Sequence, residues 1–254
     1  MNEQKILIFI PTFNCSKLFE KLLSDLENMD YFKNPSYKFE LLIMDNNSNS
    51  IEVDYLKKII NKSDLKKIIN FKDFKKNVGY AGNQKRCFEY FINSDFEYMI
   101  MLHGDGQYTA DLLKKIIPEL NDDLDIIYGY RDKKTYKIDE TPYSTYLIIT
   151  ALNIMENFIL NLKIKEWHSG FVSYSKKFIQ SIRIEKLTNT RHIDGNILFI
   201  GSIKKNKIRA VPIYKLYKGF EQFHGFGAIK YVFNVISLMF HFRSKKNIKY
   251  WFKD

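Results

Sequence analysis

The sequence is poor in cysteine, and it lacks several familiar signatures. Only two cysteines occur, Cys15 and Cys87, and they stand in no metal-ligand spacing. A disulfide framework and a zinc site are therefore not expected, and a reducing compartment is. Residues Met1 to Lys5 have no signal-peptide design and run straight into a strand-like segment, so a cytoplasmic chain is expected. No internal repeat and no low-complexity linker occurs. No recognised nucleic-acid motif accompanies the basic charge, so no nucleic-acid partner is expected.

What remains is a chain of 254 residues, 45% of them hydrophobic, enough for one large domain or for one domain with an appendage. Forty Lys and Arg against 29 Asp and Glu give a formal charge of +11. That balance favours anionic partners, such as acidic lipid headgroups or phosphorylated substrates. Much of it stands in pairs, Lys57-Lys58, Lys66-Lys67, Lys75-Lys76 and Lys114-Lys115, which read as solvated helix surface. The 21 Phe and 17 Tyr supply a core, with some left to line a cleft or meet a membrane interface.

The first half alternates two kinds of segment. Ile6 to Ile10 and Leu41 to Met44 are unbroken apolar runs suited to strands buried on both faces. Further strands are expected near Ile68 to Phe71, Tyr98 to Leu102 and Asp125 to Tyr128. Helical spacing marks Leu18 to Leu26, with Ser16 as N-cap, and then Val53 to Ile60, Ala81 to Ile92 and Leu112 to Leu120. Such alternation predicts a mostly parallel central sheet flanked by helices. Ligands of such sheets bind beyond the carboxyl ends of the strands. Three polar clusters fall there: Pro11-Thr12-Phe13-Asn14, Asp45-Asn46-Asn47-Ser48 and His103-Gly104-Asp105-Gly106-Gln107.

The second half carries two long apolar segments. Tyr143 to Leu162 has one charged side chain, Glu156, with Thr150, Asn153, Asn157 and Asn161 along one helical stripe. Phe226 to Phe242 repeats the pattern with Lys230, Asn234, Ser237 and His241, and Arg243, Lys245, Lys246 and Lys249 follow. Both read as amphipathic helices lying either on the protein's own core or in a bilayer interface.

Alternate residues at a strand end point the same way, so His103, Asp105 and Gln107 can face one hard cation. An Asp between glycines taken alone is an ordinary turn; its place after a buried strand gives it weight. In Asn77 to Lys85, Gly79 and Gly82 precede a helix, whose backbone N–H groups can meet an anion.

These stretches resemble glycosyltransferase family 2 with the Rossmann-like GT-A fold, in the branch of dolichyl-phosphate mannosyltransferase and bacterial polyprenyl-phosphate sugar transferases. Seven motifs run in family order: the three strand-end clusters, Asn77 to Lys85, Gly129-Tyr130-Arg131, His168 to Ser175, and Ile193 to Leu198. The match covers residues 1–215 as the catalytic domain and leaves 216–254 as a C-terminal amphipathic, basic extension. The resemblance implies a nucleotide-sugar pocket of Pro11, Thr12, Asn14, Asp45, Asn77, Gly79, Gly82, Lys85 and Gly104. It implies Mg²⁺ or Mn²⁺ on Asp105, helped by Gln107 and His103, and a phosphate contact from Arg131. Asp194 is the candidate base for a hydroxyl acceptor; the plain alternative makes it an N-cap.

Three positions depart from the family pattern. Cys15 stands where an acidic residue is common, His103 replaces the first Asp of the metal motif, and Asn196 replaces a frequent Glu. A phosphate acceptor is already anionic and needs no strong base. The expected activity is metal-dependent transfer of a sugar from a UDP- or GDP-sugar, with inversion. The acceptor is a polyprenyl phosphate or a surface glycan, and the setting is the inner face of the cytoplasmic membrane. Homo-oligomerisation is compatible with the sequence. The competing expectation is a non-catalytic nucleotide-sugar-binding member with a decayed metal site.

Overall fold

The computed structural model describes residues 3–121, 123–138, 141–216 and 226–253. Among them, β1 (Gln4–Thr12), β2 (Tyr37–Asp45), β3 (Ile69–Asp73), β4 (Tyr98–Met101), β5 (Ile126–Tyr130), β6 (Val172–Ser175) and β7 (Ile208–Pro212) form one sheet. Its order is β3-β2-β1-β4-β6-β5-β7. All neighbours are parallel except β6, which runs antiparallel to β4 and β5. The helices are α1 (Ser16–Glu27), α2 (Ser50–Lys62), α3 (Gly79–Asn93), α4 (Leu113–Ile116), α5 (Lys133–Ile138), α6 (Tyr143–Leu160), α7 (Lys176–Ser181), α8 (Ile193–Ile203), α9 (Phe226–Ser244) and α10 (Ile248–Trp251).

β1 shows why the sheet forms. Ile6, Ile8 and Ile10 enter a core cluster with Phe19 and Leu22 of α1, while Leu7 and Phe9 enter the opposite cluster with Phe88 and Phe91 of α3. All five strand residues are fully buried. Each such side chain contributes about 1.5–3 kcal/mol relative to exposure. Chain order reverses between β1 and β4; Thr12 and Asp45 finish side by side, and β4 ends against Phe9, with Gly104 bonded to Pro11 beyond it. A crevice opens there in sheets of this kind. The four lysine pairs of the first half are all exposed, as a solvated surface requires.

Two local expectations are corrected. Ser16 is the first helical residue, not the cap; its N–H donates to the Glu52 carboxylate at 2.8 Å, so a distant acid satisfies the helix start. Residues 110–119 form α4 between two 3₁₀ turns, not one helix, and Pro118 interrupts the α-helical bonding because it has no N–H.

α6 turns its polar stripe inward. The Asn153 side-chain oxygen accepts from the Trp167 N–H at 2.8 Å. Asn157 accepts from the Ile164 N–H and donates to the Ile164 carbonyl, both at 2.8 Å. Glu156 is fully buried. α9 lies against α6 through Leu152, Val235 and Met239; its half-buried His241 packs edge-on against Trp251, while Lys230 and Ser237 of its polar stripe are exposed. No helix among the described residues is long and apolar enough to cross a membrane.

The C-terminal helices are joined to the main core. Phe242 stacks on Phe199 of α8 at 5.0 Å between centroids, and Trp251 meets the same ring edge-on at 6.1 Å. The Arg183 N–H donates to the Trp251 carbonyl at 2.7 Å. The boundary expected at residue 215 adjoins residues 217–225, outside the described ones. Trp251→Ala is expected to cost about 3–5 kcal/mol in urea unfolding; a loss below ~1 kcal/mol would mean that this segment docks only loosely.

Candidate active site at the strand ends

The floor of the crevice is a set of bonds between strand ends. Asp45, with no exposed surface, accepts from the Thr12 hydroxyl at 3.2 Å, the Ser48 hydroxyl at 2.6 Å and the Ser48 N–H at 2.8 Å. Asn14, with φ +46°, donates its N–H to the Ser48 hydroxyl and accepts from the Asn49 N–H. Pro11 and Thr12 offer their carbonyls to the N–H groups of Gly104 and Asn46. A Cβ at Gly104 would lie 2.6 Å from a Thr12 methyl and 2.8 Å from the Pro11 oxygen, so only glycine lets the end of β4 lie against β1.

Asn46, which the sequence offered only as a member of its strand-end cluster, fixes the entry to α3. Its side chain bonds Asn77, the Gly79 carbonyl and the Val78 N–H. Asn77 is exposed and accepts from the Gly79 N–H, and Gly82 lies in the first turn of α3 against Val78. Lys85 is used elsewhere: its ammonium donates to the Leu187 carbonyl at 2.6 Å and to Asn189 at 2.8 Å, in the loop before α8, and burial lowers its pKa.

The loop 103–107 turns back on itself. The His103 carbonyl accepts from Gly106, and the Asp105 carboxylate accepts from the Gln107 N–H at 3.0 Å through Oδ1. Oδ2 of Asp105 forms no hydrogen bond within the described residues, and Asp105 is partly exposed. Gln107 is buried. His103 Nε2 lies 3.1 Å from the Gly170 carbonyl, which can only accept, so this nitrogen carries the proton. Burial lowers the imidazole pKa, and the neutral ring keeps its free lone pair on Nδ1. No three His, Cys, Asp or Glu among the described residues make a metal cluster. The donors nonetheless fit a hard cation that draws its remaining ligands from a diphosphate and water: one free carboxylate oxygen and one neutral imidazole. Cys15 adds no charge beside them, because burial pushes its thiol up to about 12.

Asp194 forms the opposite wall. Its Oδ1 accepts from Gln84 at 2.8 Å and Tyr174 at 2.9 Å, and its Oδ2 from Tyr80 at 2.8 Å. Burial, reinforced by this carboxylate, raises both phenols well above the ordinary range, so both remain donors. Asp194 therefore caps nothing: His192 occupies the N-cap position of α8. Tyr80 also lies 3.5 Å from His103 Nε2, linking the two walls. Asn196 is buried and accepts from the Thr188 N–H, a structural duty.

Arg131 is buried beside Glu166, which receives its backbone N–H at 2.7 Å and its Nε at 3.0 Å, and an Nη2 contact as well. Burial works against the charge, but Glu166 more than offsets it and holds the guanidinium pKa above its usual range. Its Nη1 is buried and has no hydrogen-bond partner among the described residues.

A second buried carboxylate joins the site to α6. Glu156 Oε1 is 2.7 Å from His192 Nε2. Its Oε2 is 3.0 Å from His168 Nε2, at ion-pair distance but off the line of a hydrogen bond. Burial opposes the charge of Glu156; His192 and His168 outweigh it and hold the carboxyl at about 2. His168 Nδ1 is 2.8 Å from the Tyr231 hydroxyl on α9. Helical periodicity marked Glu156 as polar and could have flagged it; its partners, far away in sequence, left no local signal.

A seven-stranded sheet with this crevice defines an enzyme of the GT-A fold. Residues 7–183 match the family model of glycosyl transferase family 2; the chain belongs to that family and is a glycosyltransferase. No curated protein matches it in sequence. Glucosyl-3-phosphoglycerate synthase from Mycobacterium tuberculosis, in complex with Mn²⁺, UDP and glucosyl-3-phosphoglycerate, is similar with a TM-score of 0.64 at 10% identity, over 95% of this chain and 80% of that one. The mannosyltransferase PcManGT from Pyrobaculum calidifontis, with GDP-Man and Mn²⁺, gives 0.65 at 11% identity, over 95% and 64%. The same synthase with Mg²⁺ and UDP gives 0.63 at 9% identity, over 95% and 80%. Identities this low carry the fold alone.

A Cβ at Gly170 would lie 2.8 Å from His103 Nε2. Gly170→Ala is therefore expected to displace the imidazole and slow nucleotide release from a donor sugar at least ~10-fold, equivalent to about 1.4 kcal/mol. An unchanged rate in a steady-state nucleotide-release assay would remove His103 from the working site.

Proposed function

We propose that this chain moves a sugar from a UDP- or GDP-sugar to a polyprenyl phosphate at a membrane surface, with inversion at the anomeric carbon. Residues 1–215 would carry the chemistry and 216–254 the helical extension. The bond from the anomeric carbon to the leaving diphosphate breaks, and its electron pair departs with the nucleoside diphosphate. An oxygen of the acceptor phosphate forms the new bond. The observation that carries the phosphate acceptor is the state of Asp194. Its carboxylate already accepts three hydrogen bonds, and Asn196 supplies no second carboxylate. An anionic phosphate oxygen needs no general base.

Asp105 would hold Mg²⁺ or Mn²⁺, with His103 and Gln107 beside it. Bound there, the cation would neutralise charge growing on the leaving diphosphate. Thr12, Asn14 and Asp45 shape the base and ribose side, Asp45 by fixing Thr12 and Ser48 from beneath. Pro11, Gly104, Asn77, Gly79 and Gly82 would form the backbone lining, and Arg131 would contact phosphate through Nη1, which has no hydrogen-bond partner among the described residues. Lys85 supports the acceptor-side loop. The related proteins with bound UDP, GDP-Man, Mn²⁺ and Mg²⁺ support this reading.

A glycan hydroxyl is the second reading, favoured by one detail: Oδ2 of Asp194 accepts a single hydrogen bond, leaving room for an acceptor hydroxyl. Purified enzyme, Mn²⁺, a panel of UDP- and GDP-sugars and polyprenyl phosphate form the assay. Asp105→Asn is expected to slow turnover at least ~100-fold, about 2.7 kcal/mol. Asp194→Asn is expected to spare transfer to lipid phosphate, whereas a large loss restricted to a glycan acceptor would favour the hydroxyl. Nucleotide binding without metal dependence, and without product from any donor, would leave a non-catalytic binding protein.

A further inference from the structure

α6 is amphipathic in an inverted sense: Asn153 and Asn157 bond the protein while its outer face carries an apolar stripe; α9 exposes an apolar stripe with Lys230 and Ser237 beside it. On α6, Tyr143, Leu147, Ile154 and Phe158 follow one helical stripe and are exposed, Phe158 to 84%. On α9, Ile229, Phe233 and Phe240 do the same at the matching spacing, Phe233 to 69%. The two helices lie against each other and run in the same direction. The Arg243 guanidinium donates to the Ile159 carbonyl at 2.7 Å and the Lys246 ammonium to the Leu160 carbonyl at 3.0 Å, so their C-terminal ends coincide. Isolated exposed apolar residues need no explanation, but a patch running along two packed helices does.

We infer that this double-helix face docks in the interface of a bilayer that carries anionic headgroups. Charge chooses the occupant. Residues 141–165 and 226–253 contain one acidic side chain, Glu156, and it is buried. The segment's exposed cations include Lys230 near the start of α9 and Lys163, Arg243, Lys245, Lys246 and Lys249 at the C-terminal end of the helix pair. Basic residues near an anionic surface are attracted to it, and the attractions add. A second copy of the chain would bring two such sets of cations together, an arrangement that charge opposes. Neither helix can cross the membrane, so each lies in the plane, its apolar side chains about 5–10 Å into the boundary between headgroups and acyl chains.

The docking face is also built into the catalytic wall. Glu156 of α6 touches His192, which caps the helix of Asp194, and Tyr231 of α9 touches His168, two residues before the Gly170 that holds His103. A bilayer bound to these helices therefore lies on the acceptor side. The inference deepens the proposed activity by naming its surface partner, yet it stands for a lipid-phosphate or a hydroxyl acceptor alike.

The test is sedimentation of the full chain with vesicles of phosphatidylcholine alone or with roughly 30 mol% phosphatidylglycerol. The protein is expected to bind the anionic vesicles at least ~10-fold more tightly, and to lose most of that advantage in high salt. Phe158→Ser combined with Phe233→Ser is expected to weaken vesicle binding at least ~10-fold, with circular dichroism and nucleotide release from donor in solution unchanged. Lys230→Glu with Lys249→Glu should remove the preference for anionic lipid. Failure of the wild type to bind anionic vesicles would overturn the inference. So would equal binding by the Phe double variant, or a dimer in light scattering that this variant breaks without affecting vesicle binding. Loss of transfer activity with intact vesicle binding would instead count against the proposed reaction.

Discussion

The site rests on one buried carboxylate. Asp45 is fully buried, and among the described residues the hydrogen-bond donors to its side chain are Thr12 and Ser48. A buried carboxyl group is costly unless hydrogen-bonded, so these three donors stabilise the fold. They bind the end of β1 to the turn after β2, across the ladder that would otherwise end there. Gly104 then lies on Pro11 and Thr12, and the loop carrying Asp105 inherits its position from that contact. The reversal of chain order at β1 and β4 creates an opening; the Asp45 bonds give it a rigid floor.

The acceptor wall is built on the same plan from residues remote in sequence. Asp194 is held by two phenols and an amide from α3 and β6, and Glu156 by two imidazoles. Tyr80 joins the two halves, since it donates to Asp194 and meets His103. Donors aimed in advance at fixed positions cost no reorganisation when charge moves. Glu156 on α6 and Tyr231 on α9 join the outer helices to this wall through contacts with His192 and His168.

Sequence reasoning reached the sheet because the evidence was local. Ile6 to Ile10 had to be a strand buried on both faces, and the polar residues after it had to fall at an edge. It missed what depends on distant partners. Nothing near Arg131 announces Glu166, and nothing near Asp194 announces Tyr80 or Tyr174. The stripe on α6 was visible, yet periodicity gives a helix two faces and does not say which one looks inward. The buried Glu156 decides that, through histidines 12 and 36 residues further along the chain. The antiparallel direction of β6 was hidden because it follows from chain connectivity, whereas the break at Pro118 had a local signal, the missing N–H, that hydrophobic spacing overrode.

The most direct measurement is a crystal structure of the chain with a UDP- or GDP-sugar and Mn²⁺, read by the anomalous signal of the metal. A manganese peak on Asp105 Oδ2, with the diphosphate over Gly104 and the base beside Thr12, is the predicted result. A nucleotide bound elsewhere, or a diphosphate in this crevice with no metal on Asp105, would contradict it.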